Sequence, residues 1–391
     1  MDQFAPPPIG YYPPPMPPPV PVPPPLPAQL DFTGDRKSFF QLVARGAGLE
    51  LVTLGFYRFW LVTDIRRHLW SNTVIDGDAA EYTGRGRELL IGFLIALAIL
   101  VPIYLAYFLI SVEAEHLQAA ASIPLVAAFY VFGQFAIYRA RRYRLTRTVW
   151  RGVRFWMSGS GWIYSFWASV WLLFGIVTLG FALPWRAAAL ERYKMQHSWY
   201  GDLQGDFVGT GRQLFKRIWW MWLAVPAALV FGVAWPFVYA YFKAEEWRWW
   251  MSGLRIGGVS VESKLESDAL LDLYWKVVGW YALLFIAFLI VIGGAVALTI
   301  TAGGITGAEL AAPGGIMKAI PLLVVIVVGY LALALSLSVA ARLYLSRDVW
   351  ARVLATTVVT NIAAAADVAA RGELASAVGE GIADGLDVAG F

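Results

Sequence analysis

The chain of 391 residues has no cysteine and few charged residues. Without thiols it forms no disulfide, no cysteine-ligated metal site and no thiolate nucleophile. Asp, Glu, Lys and Arg together make up 15% of the sequence, whereas soluble domains carry about 25%. Hydrophobic residues reach 59%, and they lie in runs long enough to cross a bilayer, which takes about 20 residues. The composition therefore predicts an integral membrane protein.

Catalytic and metal-binding motifs are also missing. The sequence has no nucleophile elbow, no metalloprotease helix motif and no nucleotide-binding fingerprint. Of its histidines, His68 and His197 lie in polar segments at unrelated positions. His116 forms a single Glu-x-x-His motif with Glu113, and di-metal bundles need this motif twice. We therefore predict no catalytic residues, no metal site, no cofactor and no enzymatic activity.

The first residues lack the basic stretch and apolar core of a cleavable signal peptide. Instead, 14 of the 22 positions from Pro6 to Pro27 are proline. Such a segment forms polyproline II and cannot pack a core. We predict a disordered tail over residues 1–30, which is either a plain spacer or a ligand for the aromatic groove of a protein partner.

The apolar runs predict an all-α polytopic membrane protein with about seven membrane helices, within a range of six to eight. The predicted elements cover residues 38–62, 89–112, 119–138, 162–183, 218–242, 275–301 and 315–344. Residues 350–372 predict an amphipathic surface helix, and the remainder an acidic tail. Tryptophans at the edges of the runs fit interfacial belts, although ordinary core aromatics are the alternative.

Positive charge indicates the orientation. The net charge is +4, and the stretch from Arg139 to Arg154 alone holds seven arginines. Short loops rich in Lys and Arg stay cytoplasmic, so this stretch predicts a location at the cytoplasmic face of a membrane, with contacts to anionic lipid rather than to nucleic acid. The second and third elements, and the sixth and seventh, should then form hairpins that point outward.

An internal repeat appears at an offset of about 125 residues. The segment Thr53-Leu54-Gly55-Phe56 recurs as Thr178-Leu179-Gly180-Phe181, and Trp60 corresponds to Trp185. A degenerate third copy begins near Trp250. We therefore predict repeats at 31–155, 156–249 and 250–349, followed by a terminal region at 350–391. Polar arms between the elements, such as Thr73–Thr83 with its Asp-Gly turn, predict short β-hairpins at the surface.

The repeat and the charge rule conflict. The arms at 63–88 and 184–217 are both basic, so both should be cytoplasmic, yet three apolar elements separate them. One resolution is that the Thr-Leu-Gly elements are re-entrant, which is tolerated only where protein or water covers the backbone.

These motifs resemble the YjgN family of bacterial inner-membrane proteins. The resemblance rests on the Phe-x-Gly entry at Phe32, the Thr-Leu-Gly-aromatic element followed by Trp, the basic arm and the aromatic-x-Gly entry to the next helix. It covers about residues 31–350. It implies a multi-pass membrane protein and supplies no catalytic residues. The family's Pro-Trp matches residues 184–185, whereas the first copy has Phe59-Trp60.

Two groups of residues are candidate sites. The Gly-x-Gly-Arg segments would cradle the phosphate of a lipid head group with backbone N–H groups, or they are plain turns before helices. Their residues are Gly84, Arg85, Gly86 and Arg87, and Gly209, Gly211 and Arg212. Arg45 and Glu50 lie inside an apolar element, where charged groups mark a pathway unless the element is short and interfacial. Their spacing puts them about 140° apart on a helix, which disfavours direct pairing.

Two functions remain open. The duplication and the intramembrane charges favour a transporter- or channel-like protein, and this predicts a polar cavity near mid-membrane. The basic arms, the aromatic belts and the scarcity of buried polar groups favour a structural or lipid-interacting membrane protein without transport or catalysis.

Overall fold

The computed structural model describes residues 27–113, 118–230, 232–303, 315–372 and 374. Helix pairs alternate with strand pairs along this part of the chain. The strands are β1 Ala28–Phe32, β2 Thr73–Ile75, β3 Asp78–Tyr82, β4 Thr148–Trp150, β5 Val153–Met157, β6 Ser198–Tyr200, β7 Leu203–Phe207, β8 Leu254–Ile256, β9 Val259–Ser263 and β10 Thr357–Thr360. They form one closed antiparallel barrel in the order β1-β10-β9-β8-β7-β6-β5-β4-β3-β2.

The helices fall between the strands in pairs or short series. They are α1 Arg36–Val52, α2 Arg58–Ser71, α3 Gly86–Glu113, α4 Gln118–Thr146, α5 Gly161–Val177, α6 Leu183–Gln196, α7 Gly211–Ile218, α8 Met221–Val230, α9 Trp235–Gly253, α10 Leu271–Gly303, α11 Gly315–Ala341 and α12 Val349–Ala355. A π-helical segment, Arg342–Asp348, joins α11 to α12.

All the helical segments leave from one end of the barrel. Each connects two neighbouring antiparallel strands: β1 to β2, β3 to β4, β5 to β6, β7 to β8, and β9 to β10. The remaining connections are tight turns at the opposite end, and two of them, Asp76-Gly77 and Arg151-Gly152, have positive φ at both central residues. We call these ends the helix end and the turn end. The predicted hairpin at Thr73–Thr83 is present as β2 and β3.

Apolar side chains fill the barrel. Leu30, Trp150, Tyr200, Val259 and Val359 come from strands all around the ring and belong to one buried cluster, so they face inward. On four of the five-residue strands the fourth residue is polar and exposed: Asp31, Glu81, Asp206 and Glu262. On β5 this position is the half-buried Trp156. The alternation of apolar and polar residues thus sets the register.

Segment 361–372 lies against the turn end of the barrel. Ile362, Ala365 and Val368 join the buried cluster of the barrel, and the backbone N–H of Ala369 donates to Asp202 Oδ1 at 3.2 Å. The predicted surface helix at 350–372 is therefore wrong, because this stretch contains α12, the barrel strand β10 and a 3-10 turn.

The prediction of an all-α protein with seven membrane helices is also wrong. In the part of the chain that the structure describes, four helices are long and apolar enough to cross a membrane: Gly86–Leu109, Ser122–Thr146, Leu271–Thr301 and Ile320–Ala355. The predicted elements at 38–62 and 162–183 each contain a turn, because Thr-Leu-Gly keeps the run apolar while it reverses the chain. The element at 218–242 is divided between α8 and α9.

The predicted repeat boundaries fall within elements: residues 155–156 lie in β5, 249–250 in α9 and 349–350 in α12. Residues 28–30 of the predicted tail belong to β1. Residues 1–26, His116 and most of the acidic tail lie outside the described residues.

Candidate membrane-facing site

The aromatic-x-Gly motif marks the step from a barrel strand into a helix. A Cβ placed on Gly84 would lie 2.6 Å from the Tyr82 ring, and one on Gly209 would lie 2.6 Å from the Phe207 ring. Only glycine leaves room for an aromatic ring to fold back beneath the chain at this point. The exiting backbone is also held by arginine, since Arg67 donates to the Gly84 carbonyl oxygen at 3.3 Å.

The same arginine contact recurs around the barrel. Arg192 Nη2 donates to the Gly209 carbonyl at 3.1 Å, and Arg347 Nη2 donates to the Gly34 carbonyl at 2.5 Å. These arginines lie on helices that return to the barrel. They donate hydrogen bonds to backbone carbonyl groups at the start of the outgoing helices, so part of the basic charge in the arms has a structural use.

The second glycine of each Gly-x-Gly segment packs helix against helix. A Cβ on Gly86 would lie 2.8 Å from the Trp60 Cα, and one on Gly211 would lie 2.6 Å from the Trp185 Cα. The start of α7 is closed by a capping box, in which Thr210 Oγ1 accepts from the Gln213 N–H at 3.2 Å and Gln213 Oε1 accepts from the Thr210 N–H at 2.9 Å.

The candidate head-group residues thus divide into two classes. The glycines serve close packing, while Arg85, Arg87 and Arg212 are exposed at the helix end of the barrel. Binding of a lipid phosphate by these exposed arginines stays a prediction.

The two Thr-Leu-Gly segments are turns with the same backbone conformation. Leu54 and Gly55 have φ of 51° and 88°, and Leu179 and Gly180 have φ of 50° and 86°. Six consecutive backbone N–H groups, from Thr53 to Arg58 and again from Thr178 to Leu183, all find acceptors within their own turn. In each turn the threonine hydroxyl accepts one of these bonds, from the N–H of Tyr57 or of Ala182.

The side chains at these turns are apolar and exposed. Leu54 is 88% exposed and Leu179 is 84% exposed, and the adjoining Val52 and Val177 are 80% and 82% exposed. A left-handed φ costs a residue that carries a Cβ about 1–2 kcal/mol, so leucine is an unfavourable choice unless its side chain is useful there.

Arg45 and Glu50 are not brought together. Glu50 is buried near the end of α1, and its Oε1 accepts from Arg342 Nη2 at 3.2 Å. Arg45 is exposed. A carboxylate inside an apolar element signals a cationic partner. Arg342 could not be recognised from the sequence as that partner, because it lies 292 residues away along the chain.

A groove of about 500 Å³ runs between α1, α10 and α11. Aromatic residues line its barrel end: Phe40, Trp280 and Tyr344. Small and aliphatic residues line the rest, among them Ala47, Gly48, Leu284, Ala332 and Leu335. The Trp280 indole N–H donates to the Tyr344 hydroxyl at 3.0 Å, which leaves the walls of the groove almost wholly apolar.

One buried carboxylate between the helices is paired with two cations. Glu191 on α6 accepts from Arg141 Nη1 and from Lys194 Nζ, each at 2.6 Å. Although burial opposes ionisation, the two cations lower the pKa of Glu191 to about 2. This triad joins α6 to α4.

The histidines have structural surroundings. His197 Nδ1 lies 2.7 Å from the Tyr193 carbonyl oxygen, and burial lowers the pKa of His68. Within the described ranges, no group of His, Asp and Glu side chains is arranged to hold a metal ion.

Comparison with known proteins identifies a family without an assigned activity. A family model described as "Bacterial protein of unknown function (DUF898)" matches residues 27–385. No curated protein and no solved structure matches the chain. The match begins one residue before β1 and takes in every strand of the barrel. The chain therefore belongs to this bacterial family of unknown function, which is the YjgN family that its motifs resemble.

Proposed function

We propose that this protein is a multi-pass, lipid-interacting protein of the bacterial cytoplasmic membrane, in which the barrel lies at the cytoplasmic face and the helices enter the bilayer. The conformation of the Thr-Leu-Gly turns carries this proposal. In hydrocarbon, every backbone polar group must find a partner within the protein. The turns at Leu54 and Leu179 meet that condition for six consecutive N–H groups and present bare apolar side chains.

The length of each helix decides whether it can cross the hydrocarbon core of a bilayer. At 1.5 Å per residue, the 17 residues of α1 or α5 span about 25 Å, less than the hydrocarbon core of about 30 Å. These two helices and their partners α2 and α6 enter the bilayer and return without crossing it. The candidate spans of 24 to 36 residues are long enough to cross.

The positions of the charges support the orientation. The exposed Arg85, Arg87 and Arg212 and the stretch from Arg139 to Arg154 lie at the barrel or at the adjoining ends of the helices. By the positive-inside rule this side is cytoplasmic. The basic arms that appeared to require opposite faces both belong to the barrel, so no conflict with the charge rule remains.

Transport is the weaker alternative. A pathway through the barrel would need polar lining, yet the inward side chains of the strands form an apolar cluster, and residues 361–368 extend that cluster at the turn end. The intramembrane charge Glu50 pairs with Arg342, so it supports helix packing as well as it supports a pathway. These observations favour the structural, lipid-interacting alternative.

Single-cysteine labelling tests the proposal cleanly, because the chain has no cysteine of its own. Leu54→Cys and Leu179→Cys should resist a membrane-impermeant maleimide in inside-out vesicles and react after detergent is added. Asp76→Cys, in a barrel turn, is the matched control and should react at once in the same vesicles. Equal labelling rates for Leu54→Cys and Asp76→Cys in intact vesicles would refute insertion of the turns.

A further inference from the structure

The groove between α1, α10 and α11 is not explained by membrane insertion alone. Two of the helices that form it, α10 and α11, are candidate membrane spans, and the third, α1, is the dipping helix that precedes the first Thr-Leu-Gly turn. Its lining changes along its length: the aromatics Phe40, Trp280 and Tyr344 lie nearest the barrel, and alanines, glycine and leucines lie farther out. Aromatic rings favour the membrane–water interface and aliphatic groups favour the hydrocarbon, so the groove follows the polarity profile of a single lipid.

Two cations lie at the barrel end of the groove. Arg36 precedes Phe40 by four residues on α1, and Lys276 precedes Trp280 by four residues on α10, so each cation shares a helix face with a groove aromatic. Both side chains remain about half exposed, although each also contacts an aspartate, Asp348 or Asp272. The Arg36 guanidinium lies 4.9 Å from the centre of the Tyr344 ring, which fixes it at the mouth of the groove.

We propose that this groove binds one acyl chain of an anionic phospholipid, with the phosphate held by Arg36 and Lys276. The inference rests on the proposed membrane location. The volume of about 500 Å³ lies within the 300–1,000 Å³ usual for small-molecule sites. A groove of this size with almost wholly apolar walls suits a slender acyl chain.

Gly48 offers a direct way to fill the groove. A Cβ at this exposed position would meet no atom within 4 Å, so Gly48→Phe should occupy the space without displacing α1. Gly293→Phe on α10 is the matched control, because Gly293 is also exposed, has no atom within 4 Å of its Cβ and does not line the groove. Both variants should elute and melt like the wild-type protein.

The experiment uses the full chain in phosphatidylcholine vesicles that contain a trace of phosphatidylglycerol with a photoreactive diazirine in one acyl chain. After irradiation, cross-linked peptides are mapped by mass spectrometry. We expect cross-links concentrated on α1, α10 and α11 at the groove, reduced roughly tenfold by Gly48→Phe, a loss equivalent to one decade in affinity, and unchanged by Gly293→Phe. Labelling spread evenly over the lipid-exposed faces of α3 and α4, or unaffected by Gly48→Phe, would overturn the site.

A second arm tests the head group. Arg36→Gln combined with Lys276→Gln should reduce labelling by photoreactive phosphatidylglycerol severalfold and leave labelling by photoreactive phosphatidylcholine nearly unchanged. Arg371→Gln, at an exposed arginine in the segment at the turn end of the barrel, should change neither. Equal loss of both lipids, or labelling by a photoreactive fatty acid in preference to either phospholipid, would overturn the phosphate contact. If Leu54→Cys stays protected while the groove is not labelled, this inference fails and the membrane location stands.

Discussion

Arg342 and Glu50 form an ion pair across the interface between the π-helical segment and α1, with Nη2 and Oε1 3.2 Å apart. Removing one partner of a buried ion pair leaves an uncompensated charge and costs about 3 kcal/mol. We expect Glu50→Ala to lower the melting temperature in detergent clearly, and the exchange Glu50→Arg with Arg342→Glu to recover part of it.

Arg45 provides the control for this pair, because it lies in the same helix and is exposed. Arg45→Ala should leave both the melting temperature and the amount of protein in the membrane unchanged. If Arg45→Ala destabilises as much as Glu50→Ala, the pair is not what holds α1 in place.

Replacing glycine by alanine should have opposite effects on the free energy of unfolding at the helix-packing glycines and at a glycine in open space. Gly86→Ala and Gly211→Ala place a methyl group against the backbones of Trp60 and Trp185 and should cost about 1–3 kcal/mol through overpacking. Gly133→Ala in α4 meets nothing within 4 Å and should gain about 0.5–1 kcal/mol from helix propensity. Thermal unfolding of the three variants side by side measures the contrast.

Because the first strand, β1, pairs with the last strand, β10, a disulfide cross-link between them should form. Gln29 on β1 lies opposite Val358 on β10, and opposed residues in an antiparallel pair are close enough for a disulfide. Gln29→Cys with Val358→Cys should form a reducible bond that shifts electrophoretic mobility. Gln29→Cys with Val149→Cys, on the distant strand β4, should not. Failure of the first pair under oxidising conditions would contradict barrel closure.

The buried triad predicts a loss of stability in acid. The pKa of Glu191 is lowered in the fold from 4.5 to about 2 by Arg141 and Lys194. A lowered carboxyl pKa contributes stability that is complete above the unfolded value and is lost as pH falls through the folded value. The melting temperature should therefore decline between about pH 4.5 and pH 2, and Glu191→Gln should flatten that decline. An unchanged slope in Glu191→Gln would assign the acid sensitivity to other carboxyl groups.

Much of the local structure was predictable. The Asp76-Gly77 hairpin and the long helices α3, α4, α10 and α11 lie where turn residues and apolar runs placed them. The barrel was not predictable, because its strands have only three to five residues and each is too short to give a periodic signal of its own. Strand β10 was hidden in an alanine-rich stretch that by composition favours helix.

The candidate site was also only partly predictable from the sequence. A carboxylate in an apolar run, at Glu50, indicated that a cation must lie nearby, but local sequence gives no distance information across 292 residues. The groove was invisible for the same reason, since α1, α10 and α11 contribute ordinary apolar residues whose arrangement leaves a space only when the three helices pack.

The sequence by itself determined which helices are long and apolar: its apolar runs of about 20 residues or more give the four helices that are long and apolar enough to cross a membrane. Tertiary structure alone decided how the runs are used. Closing the barrel through β1 and β10 brings every helical segment to one end, so α1 and α5 turn back at Leu54 and Leu179 and return to the barrel through α2 and α6.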